Sequence, residues 1–264
     1  MEPAKTLIET CNFQPLGLGI PLQQLWRKGP LCPAFWQNEV HVWKVDLSVP
    51  WSELHDKAMA ATDRQQAMRF RFALDRHRFS VARASLRMIL SRYLNRNPAT
   101  IDFERGAHGK PHLADSDDNR GLRFNVSHSN QLALIAVARD REVGIDIEFR
   151  KDDFGTYEVA DRFFSAAEIN QLKSVSDELR VEAFFNCWTR KEAYIKARGE
   201  GLSMPLDEFE VSLVPGTSAE LISNVREPQE VERWRFEDLY AAPGFAAALA
   251  VERGFSRLLL WEFV

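Results

Sequence analysis

The stretch VGIDIEF (143–149) decides how the chain is organised. Read as a strand, it has a period of two. Val143, Ile145, Ile147 and Phe149 fall on one face, and Gly144, Asp146 and Glu148 on the other. Residues two apart in a strand are about 7 Å apart at Cα, so Asp146 and Glu148 can reach one cation. Hard oxygen ligands on a rigid strand suit Mg²⁺, which takes one or two protein carboxylates and fills its shell with phosphate oxygens and water. Gly144 leaves room beside the acids. A half-buried strand with a solvated acidic face fits the same seven residues, and this stretch alone does not separate the two.

Two strand-like runs precede it, LRFNVS (122–127) and LALIAVARD (132–140). Further upstream, VHVWKVDL (40–47) reads as a strand, 51–60 as the start of a short helix, and 63–94 as a long helix. Phe79, Val81, Ala82, Leu86, Ile89, Leu90 and Tyr93 recur there at helical spacing, and Asn95 with the Asn-Pro pair at 97–98 ends the pattern. Residues 101–124 are rich in loop formers. Downstream, helical patterns cover 157–173 and 178–198, and strand patterns 207–213, 220–224, 231–239, 245–252 and 257–263. LRFNVSHSNQLALIAVARD (122–140) parallels WRFEDLYAAPGFAAALAVERG (234–254): each opens with Arg-Phe in a short strand, turns, and continues as an Ala-rich apolar strand. The expected fold is α+β, a pseudo-two-fold duplication of two similar halves at 39–144 and 145–264. An N-terminal extension, 1–38, is expected to pack Trp26, Phe35 and Trp36 on the body. Pockets favour such junctions.

The 264 residues are 45% apolar, enough for a core, and carry a net charge of -4, which implies no basic nucleic-acid surface. No run approaches the roughly 18 apolar residues of a membrane span. Cys11, Cys32 and Cys187 have neither paired nor metal-ligand spacing, so a reducing compartment is expected. The N-terminus does not read as a signal peptide. A cytoplasmic protein is the expectation.

Other groups that carry chemistry lie outside the strand. In the helical run CWTRKEAYIKARGEGL (187–202), Phe184, Trp188, Glu192 and Lys196 form one row at intervals of four. Glu192 and Lys196 fit a surface ion pair. They also fit a phosphate-and-metal site, since their aromatic neighbours put them beside a core, where an idle charge is costly. RGAHGKPH (105–112) joins Arg105, His108 and Lys110 with two Gly and a Pro, a pattern that serves to wrap a phosphate or simply to turn the chain. In NVSHS (125–129), Ser127 and His128 point to opposite faces of a strand, which suits binding and not a Ser-His nucleophile pair. Arg69, Arg71, Arg76 and Arg78 cannot share one helix face; Arg78 is the best anion contact among them.

GKPHL (109–113), FNVSHS (124–129), VGIDIE (143–148), FFSAAE (163–168) and WTRKEAYIKARGEGL (188–202) occur in that order. Together they resemble the 4'-phosphopantetheinyl transferase superfamily, in particular its larger monomeric, surfactin-synthase-activating type. The resemblance implies that the chain moves the 4'-phosphopantetheine of coenzyme A onto a serine of an apo acyl or peptidyl carrier protein, with Mg²⁺ as cofactor, in fatty-acid, polyketide or nonribosomal peptide biosynthesis. It implies Asp146, Glu148 and Glu192 as magnesium ligands. It implies Arg78, Lys110, Pro111, Asn125, Ser127, His128 and Lys196 at coenzyme A, with Arg105 and His108 in the loop near the nucleotide. Glu192, Lys196 and Asp146 would carry catalysis, Glu192 as general base. Residues 1–38 have no counterpart in the shorter members. The carrier is expected on an apolar patch around Phe154, Tyr157, Phe163 and Phe164, with at least one of the last two in the core. A non-catalytic binding module would break the acid set, and another magnesium enzyme acting on pyrophosphate would show a water-activating acidic cluster; neither is seen.

Overall fold

Strand 143–149 is buried from Val143 to Ile147 because it is enclosed on both faces. A computed structural model describes residues 25–114, 121–150 and 156–264. In chain order its elements are β1 (Arg27–Lys28), β2 (Glu39–Asp46), α1 (Glu53–Ala58), α2 (Ala61–Ala67), α3 (Ala73–Leu94), β3 (Phe103–Arg105), β4 (Pro111–Leu113), β5 (Leu122–Ser129), β6 (Leu132–Arg139) and β7 (Val143–Phe149). They continue with α4 (Thr156–Phe163), α5 (Ala166–Ser174), α6 (Asp177–Arg198), β8 (Phe209–Val211), β9 (Leu221–Asn224), α7 (Glu230–Arg233), β10 (Trp234–Asp238), β11 (Phe245–Glu252) and β12 (Arg257–Glu262).

Two sheets organise the fold. One has the order β1-β12-β2-β6-β5 and the other β10-β11-β7. The anticipated likeness of 122–140 and 234–254 is β5–β6 against β10–β11, each an antiparallel hairpin. In each half a strand, a 22-residue helix (α3 or α6) and that hairpin follow in order. The apolar face of β7, Val143, Ile145 and Ile147, packs with Leu249 and Val251 against Val40, Val42, Leu134 and Ala136 of the other sheet. The outer faces are covered by α3, through Val81, Leu86, Ile89 and Leu90, and by α6, through Phe184, Tyr194 and Ile195. The layers are therefore helix, sheet, sheet, helix. The last strand, β12, pairs in parallel with β2, so the end of the chain is built into the first sheet.

Several elements depart from the sequence pattern for identifiable reasons. The helix expected over 63–94 is two helices broken at 68–72. Asp63 in α2 is buried and paired to Arg83 and Arg87 of α3, and those bonds fold α2 back onto α3. The helix expected over 157–173 breaks at Ser165, whose hydroxyl caps the Glu168 N–H while the Glu168 carboxylate takes the Ser165 N–H. The strand expected from 231 begins at Trp234, after α7. Residues 103–113, expected as loop, hold a short hairpin. Trp26 and Phe35 pack on the body as expected, but Trp36 is 64% exposed. Phe164 is core and Phe163 lies edge-on to Trp188. Phe154 and the side chain of Tyr157 lie outside the described residues.

The space beside Gly144 is not open, as expected from the sequence, but filled by α6. A Cβ there would stand 2.1 Å from Ala193 O and 2.3 Å from Ala197 N. Strand and helix backbones touch at this glycine, and neither backbone can yield easily. Gly144→Ala is expected to cost about 3 kcal/mol or more in urea unfolding, at the upper end of overpacking effects; an unchanged midpoint would contradict the close approach.

Candidate functional site

The polar face of β7 looks onto α6, and the close contact at Gly144 brings the two elements' charged rows together. Asp146 is 2% exposed. Its Oδ1 accepts from the Ser127 hydroxyl (2.8 Å) and from Lys196 Nζ (2.5 Å). Its Oδ2 is buried and has no hydrogen-bond partner among the described residues. Leaving a buried carboxylate oxygen unsatisfied is costly. Glu148 Oε2 accepts from the Ser129 hydroxyl at 2.9 Å.

Burial pushes the Glu192 carboxyl up to about 7, with Lys196 opposing and the Asp146 and Glu148 charges adding to the rise. Burial works against the Lys196 ammonium, but Asp146, and then Glu192 and Glu148, outweigh it and hold its pKa above the ordinary lysine value. The three acids and the lysine thus feel one another directly. Among the described residues, no group of three or more His, Cys, Asp or Glu side chains is placed to hold a metal ion.

On the other flank, desolvation, then Lys196 and Arg78, hold the His128 ring below the ordinary imidazole value. Arg78, in the second turn of α3, donates to Asn130 Oδ1 at 2.8 Å, so it stands at the turn after His128. The β3–β4 hairpin leans on the end of α6: His108 Nδ1 lies 3.1 Å from the Ser203 hydroxyl, and Arg105 donates to Gly109 O at 3.2 Å. Lys110 spends its three donors on Glu142 Oε2 (2.8 Å), Val143 O (3.2 Å) and Ala197 O (2.9 Å), stapling β7 to α6. A cavity of about 390 Å³ opens beside it, lined by Gly106, Lys110, Pro111, Arg123, Glu142 and Gly199. A larger hollow of about 730 Å³, at residues 35–38, Arg139 and Asp140, holds none of the motif residues; the chemistry points to the β7–α6 region instead.

Three residues stitch the two sheets together at this point. Asn125 Oδ1 accepts from Ile145 N (2.9 Å), Ser127 Oγ from Ile147 N (3.4 Å) and Ser129 Oγ from Phe149 N (3.0 Å). Each pair is 20 residues apart, so β5 and β7 run side by side, joined by side chains where a ladder would use carbonyls. Asn125 is buried and its oxygen is used in this seam. Sequence reasoning missed Ser129 and Glu142. The alternation Asn125, Ser127, Ser129 between apolar neighbours was the available signal for the seam.

A raised pKa for Glu192 has a defined effect on stability. The unfolded chain releases this proton above about 4.5 and the folded chain near 7. The stability tied to it is complete below 4.5 and lost as pH rises through 7. Glu192→Gln removes the effect. Melting temperatures in chelator-containing buffer should show wild type falling relative to the variant from pH 5 to pH 8; parallel curves would contradict the shift.

Comparison with known proteins identifies the family of the chain. Residues 142–250 match the 4'-phosphopantetheinyl transferase superfamily model and residues 47–140 the 4'-phosphopantetheinyl transferase, N-terminal model. The chain is 38% identical over 232 residues to 4'-phosphopantetheinyl transferase HetI of Nostoc sp. (strain PCC 7120), covering 87% of this chain and 94% of that one. It is 35% identical over 150 residues to 4'-phosphopantetheinyl transferase Sfp of Bacillus subtilis (strain 168), covering 57% and 64%. It is 30% identical over 190 residues to L-aminoadipate-semialdehyde dehydrogenase-phosphopantetheinyl transferase of Xenopus laevis, covering 67% and 63%. With matching models over both halves and a relative aligned over nearly its whole length, the chain belongs to the 4'-phosphopantetheinyl transferase superfamily and is a transferase of that kind.

Proposed function

We propose that the chain transfers 4'-phosphopantetheine from coenzyme A to a serine of an apo acyl or peptidyl carrier protein, using Mg²⁺ held by Asp146, Glu148 and Glu192. The observation that carries this is Asp146 Oδ2, a buried carboxylate oxygen without a hydrogen-bond partner among the described residues, beside the carboxylates of Glu148 and Glu192, oxygen donors of the kind Mg²⁺ takes. When bound, the ion would neutralise charge on the pyrophosphate.

The remaining roles belong to the protein. Lys196 stands at the acid set with its proton held firmly, and it pairs with a phosphate oxygen. Glu192 takes the serine proton, directly or through a water. The serine oxygen forms a bond to the β-phosphorus, and the bond from that phosphorus to the bridging oxygen breaks. Adenosine 3',5'-bisphosphate leaves. His128 and Arg78 flank the phosphates, with Ser127 beside them. Arg105 and His108 line the approach of the nucleotide, and Pro111 shapes the adjoining cavity. Asn125 and Lys110 act on the cleft from behind, by fixing β7 against β5 and α6; contact of Lys110 with coenzyme A would require it to exchange one of its three partners. Both flanks of the cleft come from one polypeptide, which supports action as a monomer. Among the described residues no helix is long and apolar enough to cross a membrane; a cytoplasmic setting, with Cys187 and Cys32 as free thiols, fits.

Asp146→Ala is expected to lower the Mg²⁺-dependent mass gain of an apo carrier protein by about 10²-fold or more, the scale of losing a main electrostatic contact; normal turnover would remove the metal assignment. His128→Ala is expected to raise the Michaelis constant for coenzyme A about tenfold, the loss of one charge-assisted hydrogen bond. Unchanged constants would take His128 out of the binding set.

A further inference from the structure

The seam between β5 and β7 has three rungs, and they do not serve the same end. Each rung accepts one β7 amide, at 145, 147 and 149. Each also stands beside the preceding β7 residue, which is Gly144, Asp146 and Glu148 in turn. The Asn125 rung meets no acid. The Ser127 rung donates to Asp146 and also receives Lys196 at 3.1 Å. The Ser129 rung donates to Glu148 Oε2 at 2.9 Å while accepting from Phe149 N at 3.0 Å. A hydroxyl has a single proton to give. With the Phe149 amide directed at its lone pair, the Ser129 proton is aimed at the carboxylate.

We propose that Ser129 is a positioning residue for the Glu148 carboxylate: it translates the register of the seam into the orientation of one acid of the metal set. The inference rests on the reading of Glu148 as a magnesium ligand. Partners of this kind, one shell out from a ligand, typically change metal affinity by 10–100-fold when removed. Glu148 lies toward the end of β7, where burial falls from buried to half-buried, so its side chain is less confined by packing than that of Asp146. A hydrogen bond anchored to the backbone fixes one of its carboxylate oxygens.

The test is direct counting of bound Mn²⁺ by its paramagnetic signal, on the full chain at saturating coenzyme A and without carrier protein. Ser129→Ala is expected to weaken Mn²⁺ binding about tenfold with little change in the Michaelis constant for coenzyme A. Ser129→Thr, which keeps the hydroxyl, should restore binding. In a Glu148→Ala background, Ser129→Ala should have no further effect, because the two act through one carboxylate. Should the alanine variant fail to fold, Thr and Val at 129 have the same shape and differ only in the hydroxyl; Thr near wild type with Val weakened carries the inference, and equal affinities overturn it. Wild-type affinity in Ser129→Ala, or a loss that adds to that of Glu148→Ala, also overturns it while leaving the magnesium reading standing. A wild-type chain that binds no Mn²⁺ overturns both.

Discussion

Asp146 is the point on which the two halves of this protein depend. It is almost wholly buried, yet it holds two partners from different places: Ser127 from the first sheet and Lys196 from the helix that covers the second. A buried charge is tolerated only when it is paired and hydrogen-bonded. Among the described residues, one oxygen meets that requirement and the other does not. Under the proposed function, that oxygen is where the metal would bind. The chain contains a structural pair for comparison: Glu168 accepts from Val211 N and Ser165 N, and Lys191 bonds Glu168, Leu206 O and Phe209 O, so both buried charges are fully served.

The position of Asp146 follows from how two duplicated units meet. Each unit is a strand, a long helix and a hairpin, and each buries its inner sheet face against the other. At the edges, β5 and β7 present amides and carbonyls with no strand between them. The side chains of Asn125, Ser127 and Ser129 close that gap. A seam made of side chains has an advantage over a ladder: the same hydroxyls that take amide protons have protons of their own to direct at carboxylates. Gly144 lets α6 lie against this edge with backbone touching backbone, which brings Glu192 and Lys196 within electrostatic reach of β7. Lys110 then pins the far end, bonding β7 and the end of α6 at once.

Much of this was legible in the sequence. The period of two in VGIDIEF sorted its core face from its acid face correctly, and the row at 184, 188, 192 and 196 ran toward those acids. The Arg-Phe hairpins revealed the duplication. What escaped were features set by tertiary contacts. The break between α2 and α3 contains neither Gly nor Pro; it arises from Asp63 bonding two arginines of α3. Trp36 is exposed in spite of its apolar ring, since Glu39 and the turn before β2 hold the backbone there. The glycine beside the acids was read as a vacancy because a sequence shows the missing side chain and not the helix that needs its absence. The break at Ser165 also escaped, although Ser-Ala-Ala-Glu is a capping-box signal that marks the start of a helix.

The proposed function requires a cation to meet Asp146 at the seam when pyrophosphate is present. The most direct measurement is anomalous diffraction at the manganese edge from crystals grown with coenzyme A and Mn²⁺. One peak in contact with Asp146, and shared with Glu148 and Glu192, is the predicted result. A map in which coenzyme A is bound and Asp146 has no metal beside it, or in which the peak lies away from the seam of β5 and β7, would contradict it.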